Sequence, residues 1–245
     1  MGRGFEGVGD LSGVSKESIT MYDGGTCMDK IVIEEKSFDK SIIMDSIEHF
    51  KKEYEMDETV VRTVFKEFDN SSVENILIKT IVLNNRYSAG LNDFQSDKKN
   101  IAVDVKTMAE KIYSFAKQGR LDEYKNLEDI YDLIDELSDI NDKNRPTSFL
   151  SKYLHWNYYI KNEETEIPIF DRYTKGMIYR ICKQSDLSCC KDITQEKIRD
   201  YRFFCKTYFV VKKYVEDKLL FKKLNVKEFD MFLWYYGKKN KVYLD

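Results

Sequence analysis

After residue 25 the chain almost ceases to use the two residues that interrupt regular structure. Its only prolines are Pro146 and Pro168, and seven of its eleven glycines fall within residues 1–25, leaving Gly90, Gly119, Gly176 and Gly237 for the rest. Glycine and proline are the residues that break helices most strongly. A chain of 245 residues so poor in them, and carrying 17 Tyr and 15 Phe, is expected to fold as long helices around an aromatic core. The predicted class is all-α, as one large domain or two small lobes. The opening "MGRGFEGVGDLSGVSKESITMYDGG" has little apolar periodicity, so residues 1–30 are expected to be disordered and the fold to occupy 31–245. No apolar core follows Arg3, which argues against a signal peptide. No strand precedes the glycines, so they are not a dinucleotide fingerprint. No apolar run is long enough to span a membrane.

Helical spacing recurs along the rest of the chain. "KSFDKSIIMDSIEHFKKEY" (36–54) and "ETVVRTVFKEF" (58–68) read as two helices. Ser71 with Glu74 forms a capping-box signature before "NILIKTIVLNNRY", which is apolar nearly all round until Asn84. This helix ends in the polar cluster Asn84, Asn85, Arg86, Tyr87 and Ser88, which suits either a cleft lining or an ordinary helix end. Further helices are predicted at 103–119 and 126–140, and from Pro146 through "PTSFLSKYLHWNYYI". In the last, Phe149, Tyr153 and Trp156 share one face, and Ser148, Lys152 and His155 share another. One long or two shorter basic-aromatic helices follow Thr194. Asn225 with Glu228 caps a final helix, "VKEFDMFLWYYGKK".

Between these elements lies "EIPIFDRY" (166–173), which places Asp171 directly after an apolar run. Carboxylates are seldom buried unless paired or used. Asp171 is therefore either the N-cap of "RYTKGMIYRI" or a working carboxylate, and the two roles are compatible. Charge is uneven too. Residues 172–245 carry 18 Lys or Arg against 9 Asp or Glu, whereas 121–142 is strongly acidic and the net charge is −3. Such asymmetry suits a polyanion-binding surface, or two ordinary solvated helix faces. Cys27, Cys182, Cys189, Cys190 and Cys205 lack the spacing of a zinc or iron–sulfur site and read as reduced structural thiols of a cytoplasmic protein.

The order of these pieces resembles the helix-hairpin-helix DNA glycosylases of base-excision repair, the superfamily that includes endonuclease III and 8-oxoguanine glycosylase. "ILIKTIVLNNRY" (76–87) is similar to the family's apolar helix that ends in pocket residues. "IPIFD" (167–171) is similar to its "VPVD"-type junction with one residue inserted. Asp171 matches the family's catalytic Asp. Lys152, nineteen residues earlier, stands at about the separation of the catalytic Lys in bifunctional members. The family's Gly-rich hairpin has no counterpart in "NDKNRPTSF" (141–149), and a different alignment puts Lys143 or Arg145 at the lysine's place.

This resemblance implies a two-lobed helical fold, with a middle lobe near 72–160 and a second lobe from 31–71 plus 161–245. It implies excision of a damaged or modified base from double-stranded DNA by a monomer, without cofactor or metal. Asp171 would stabilise the sugar cation and Lys152 would be a Schiff-base nucleophile. Asn84, Asn85, Tyr87, His155 and Trp156 are the candidates for a base pocket, and Arg86, Arg145, Arg172 and Lys175 for contacts to DNA. A non-catalytic nucleic-acid-binding module on the same scaffold, or a helical protein-interaction domain using the acidic 121–142 segment, are the alternatives.

Overall fold

One helix replaces the two predicted at the start of the fold. In the computed structural model, which describes residues 39–87, 89, 91, 103–121, 124, 126–139, 146–185, 187, 190, 192–220 and 222–244, α1 runs unbroken over Lys40–Glu67. Asp39 caps it by accepting the Ile42 N–H at 2.9 Å. The apolar stripe Ile43, Ile47, Phe50 lapses and then resumes at Val61 and Phe65. No Gly or Pro lies in the gap, so the backbone continues. The lapse marks where the helix turns polar residues toward a cleft, and in the sequence it reads as a break.

Eight α-helices make up the described residues, and the fold is all-α. After α1 come α2 (Val73–Tyr87), α3 (Val105–Ala116), α4 (Leu127–Ser138), α5 (Thr147–Asn162), α6 (Arg172–Gln184), α7 (Tyr201–Tyr214) and α8 (Val226–Lys239). A 3₁₀ turn (Lys197–Arg199) precedes α7, and a π-helical segment (Val215–Leu220) follows it. No helix among them is long and apolar enough to cross a membrane. The predicted disorder of 1–30, and Lys143 and Arg145, fall outside the described residues.

Local signals set most boundaries. The cap of α2 is Ser72, whose Oγ accepts the Asn75 N–H at 3.2 Å. Ser71 instead donates its N–H and hydroxyl to Asp69, so the predicted Ser71–Glu74 box does not form. Asn225 caps α8 as predicted, accepting the Glu228 N–H at 2.7 Å. The π-helical segment loosens the end of α7, and Glu216 there reaches both Lys212 and the Leu224 N–H.

The core of Phe38–Asp245, one compact unit, is built by α1 packing on α8, α2 on α3, and α6 on α8. Each fully buried Leu, Ile or Phe side chain contributes roughly 1.5–3 kcal/mol. Trp156, Tyr153, Phe149, Phe65, Phe229 and Phe232 are among the largest buried groups. Gly176 is required by close approach, since a Cβ there would stand 2.6 Å from the Tyr243 backbone, where the C-terminal tail crosses α6. Part of the charge asymmetry is satisfied within the molecule: Arg202 of α7 bridges Glu128 and Asp132 of acidic α4 at 2.7 and 2.9 Å.

Candidate functional site

Helical periodicity turns three polar stripes into one hollow of about 850 Å³. α5 contributes Ser148, Lys152 and His155; α1 contributes Phe50, Tyr54, Asp57 and Glu58; α8 contributes Lys227, Asp230, Trp234 and Lys238. Each set follows the i, i+3/i+4, i+7/i+8 spacing of a single helix face. Arg86 and Tyr87 from the end of α2, and residues 169–175, complete the wall.

Residues 164–171 form an irregular strap between α5 and α6, and its N–H groups cannot be met by helix bonds. Buried main-chain polar groups must find partners, and here side chains from the neighbouring helices and from the strap itself supply them. The Ile167 N–H goes to Thr165 Oγ1, Ile169 to Asp230 Oδ2, Phe170 to Ser151 Oγ and Asp171 to Thr174 Oγ1, all at 3.0–3.1 Å. Pro168 has no N–H to satisfy. On the carbonyl side, His155 Nδ1 lies 2.8 Å from the Ile167 oxygen, the Tyr201 hydroxyl donates to Pro168, and Thr174 Oγ1 donates to Ile169. Asp171 in turn caps α6: its Oδ1 accepts the Tyr173 and Thr174 N–H groups at 2.9 Å, closing a capping box with Thr174. The strap therefore holds Asp171, only 9% exposed, rigidly at the cleft.

Lys152 reaches the same cleft from α5 and is 2% exposed. Its ammonium donates to Ser148 Oγ at 2.8 Å and to the Ser148 carbonyl at 3.3 Å. Burial pushes its pKa down, while the nearby Asp171 and Asp230 pull it back up. A buried amine without a carboxylate in contact loses its proton more readily than a solvated lysine, which suits a nucleophile.

The α8 lysine of the cleft is paired. Lys227 meets Glu58 in a close ion pair, and its ammonium sits 3.7 Å above the centroid of the Trp156 ring and 4.7 Å above that of Tyr159. Glu58 also accepts the Tyr87 hydroxyl at 2.5 Å, and Trp156 Nε1 donates to that hydroxyl at 3.2 Å. Burial lowers the pKa of Lys227, and Glu58 counters it. Beyond this pair, Phe50, Tyr54, Trp234 and Tyr173 pack edge to face along the cleft, with Lys238 4.5 Å from the Trp234 ring centroid.

The sequence candidates divide as follows. Lys152, Asp171, Tyr87, His155, Arg86, Arg172 and Lys175 all line the cleft. Trp156 does not; it is fully buried beneath Lys227. Asn84 closes the end of α2, its side chain donating to the Leu91 carbonyl and accepting the Leu91 N–H. Asn85 is exposed and lies on a separate small hollow with Val60 and Val82. His155 is buried and held neutral, its pKa pushed down to about 3 by burial and by Lys227.

Sequence reasoning passed over Glu58, Lys227, Asp230 and Trp234. Like Asp171, Asp230 is an acid in an apolar stretch, the helix "VKEFDMFLWYYG". Asp230 is 4% exposed, and burial raises its pKa well above the carboxylate range, the Ile169 N–H opposing and Asp171 adding to the shift. Among the described residues no cluster of His, Cys, Asp and Glu could hold a metal ion.

Residues 41–162, from α1 to the last residue of α5, match the family model HI_0787_N, described as an N-terminal domain. Neither the curated proteins nor the solved structures contain a match to the chain. The family match thus takes in Lys152, Glu58 and Tyr87 and stops before the strap, Asp171 and α8.

Proposed function

We propose that the chain is a DNA base-excision glycosylase that removes a damaged or modified base from duplex DNA. The observation that carries this reading is the convergence of Lys152 and Asp171, nineteen residues apart in sequence, on one cleft. Breaking the bond between base and deoxyribose develops cationic character on the sugar, which the Asp171 carboxylate stabilises. The buried Lys152 amine then attacks the sugar carbon, and the adduct opens to a Schiff base. A volume of about 850 Å³ accommodates a nucleotide turned out of the stack, and Tyr54 and Trp234 are aromatic groups in its lining. Arg86, Arg172, Lys175 and Lys238 at the cleft supply positive charge for the flanking phosphates. The protein would act as a cytoplasmic monomer.

The test uses duplexes carrying deaminated, oxidised or alkylated bases, treated with alkali after incubation to reveal strand breaks. Asp171→Asn is expected to slow base release by ~10²–10³. Borohydride should trap a covalent adduct with native protein and none with Lys152→Ala. Salt-sensitive DNA binding without any base release or adduct would identify a non-catalytic nucleic-acid module. No DNA binding at all would leave the protein-interaction reading.

A further inference from the structure

The C-terminal tail ends against a cation of the cleft. Past α8 the backbone reverses at Lys241, whose φ of 53° is left-handed, and 242–244 continues without helix. Val242 and Leu244 are buried while Tyr243 between them is 44% exposed, the alternation of an extended segment. Backbone bonds tie the segment at both ends: the Val242 N–H donates to the Gly237 carbonyl at 2.8 Å, and the Leu244 N–H to the Arg172 carbonyl at 2.9 Å. Gly237 and Gly176 leave room for it, since a Cβ at Gly237 would stand 3.2 Å from the Val242 oxygen, and the approach at Gly176 is closer still. Tyr243 is thereby set beside Arg172, the first residue of α6. The Arg172 guanidinium lies 4.8 Å from the Tyr173 ring centroid and 5.6 Å from that of Tyr243, and it donates to the Tyr173 hydroxyl at 3.0 Å. The two rings stand at 84° to each other and form a corner around the cation. Arg86 on the same cleft is paired with Asp57 at 2.9 Å, and Lys227 with Glu58. Arg172 lines the cleft, is exposed, and forms no ion pair among the described residues. Ring contacts fix its orientation without neutralising it, as a carboxylate would.

We propose that Tyr243 is a positioning residue for DNA binding: with Tyr173 it fixes the Arg172 guanidinium so that the remaining N–H groups meet a phosphate beside the extruded nucleotide. This inference rests on the glycosylase reading above and adds to it the part played by the tail. A solvated arginine loses rotamer freedom when it grips a phosphate, and that loss subtracts from affinity. A guanidinium already stacked on two rings has lost that freedom beforehand, while keeping its charge and most of its donors. The two glycines serve the same end, because a side chain at either would push the tail, and Tyr243 with it, away from its seat. A phosphate contact carries no base information, so the tail raises affinity for every duplex alike.

The test measures binding of the full chain to a fluorescent duplex carrying a reduced abasic site, by anisotropy over a series of salt concentrations. Arg172→Ala is expected to weaken binding about eightfold at ~0.1 M salt and to lower the slope of log affinity against log salt by about 0.9, the share of one phosphate. Tyr243→Leu should weaken binding about threefold with the native slope, because the guanidinium still reaches the phosphate but must be immobilised on binding. Tyr243→Phe, which keeps the ring, should bind as the native protein does. Added to Arg172→Ala, Tyr243→Leu should cost nothing more, whereas a tail that merely holds the fold together would weaken binding in either background. Native affinity in Arg172→Ala or Tyr243→Leu, an equal loss in Tyr243→Phe, or a threefold loss that persists without Arg172 overturns the positioning role and leaves the glycosylase reading standing. Native protein that binds no duplex at any salt concentration overturns both.

Discussion

The two walls of the cleft each bury a lysine, and they treat it in opposite ways. Lys227, on the α8 wall, is enclosed by Glu58, Trp156 and Tyr159, so its charge is met by a carboxylate and two ring faces. Lys152, on the α5 wall, has Ser148 as its hydrogen-bond partner and feels Asp171 and Asp230 only through the electrostatic field. A third buried lysine, Lys79, lies outside the cleft over Phe65 and Tyr153 with Asn70 at its ammonium, and burial brings its pKa down to about 8. Burial alone therefore does not single out a reactive lysine in this fold. What distinguishes Lys152 is position in the cleft beside two carboxyls without a contact that fixes its proton.

That contrast can be broken most sharply at the amine. Lys152→Ala should abolish borohydride-trapped adduct with abasic DNA, a loss of at least ~10³-fold, whereas Lys79→Met should trap as native does. If the two variants trap alike, the contrast between the lysines has no chemical meaning.

The next largest effect is on stability. Glu58→Gln strands the Lys227 charge and removes the partner of the Tyr87 hydroxyl, so urea unfolding should report a loss of about 3 kcal/mol. A loss under about 0.5 kcal/mol would show that the paired wall is no more constrained than an exposed ion pair.

Proton linkage gives a smaller, directional effect. His155 has its folded pKa depressed to about 3, so between there and about 6.5 the unfolded chain binds the extra proton and stability falls as pH drops. Asp230 works against this: its raised pKa makes the folded chain hold a proton that the unfolded chain releases above about pH 4. Asp230→Asn should therefore expose the His155 slope, a rise of about 1.4 kcal/mol per pH unit between pH 4.5 and 6. His155→Asn should reverse the sign, with stability declining over the same range. Unchanged slopes in both variants would mean that neither group is buried in the state observed.

The smallest effect concerns Lys152 as a structural element. Lys152→Met replaces a buried amine lacking ionic compensation, so it should raise stability by about 1 kcal/mol. Lys227→Met, which strands Glu58, should lower it.

Much of the site was legible one element at a time. The spacing of Ser148, Lys152 and His155 placed them on one helix face, and that face does line the cleft. Asp171 was recognisable as a cap of α6 or a working carboxylate, because an acid after an apolar run has few other uses, and it does cap that helix. Trp156 shows the limit of the same reasoning. An aromatic near a polar face suits a base pocket, yet its ring is covered by Lys227, a residue 71 positions later whose approach no local pattern announces. The break predicted near residue 55 failed for a related reason. Tyr54, Asp57 and Glu58 interrupt the apolar stripe of α1 because they face the cleft, and a cleft-facing turn and a helix end look alike in sequence.

By itself the sequence determined the helical class and most helix starts, and it offered Asp171 as a cap or a working carboxylate, because Gly and Pro scarcity, side-chain caps and a 3.6-residue period act within one or two turns of chain. Only the tertiary structure decided which polar stripes meet. Glu58 finds Lys227 and Asp230 finds Ile169 because α1, the strap and α8 pack together, and burial, which shifts the pKa of Lys152 and His155 down and that of Asp230 up, exists only once they do.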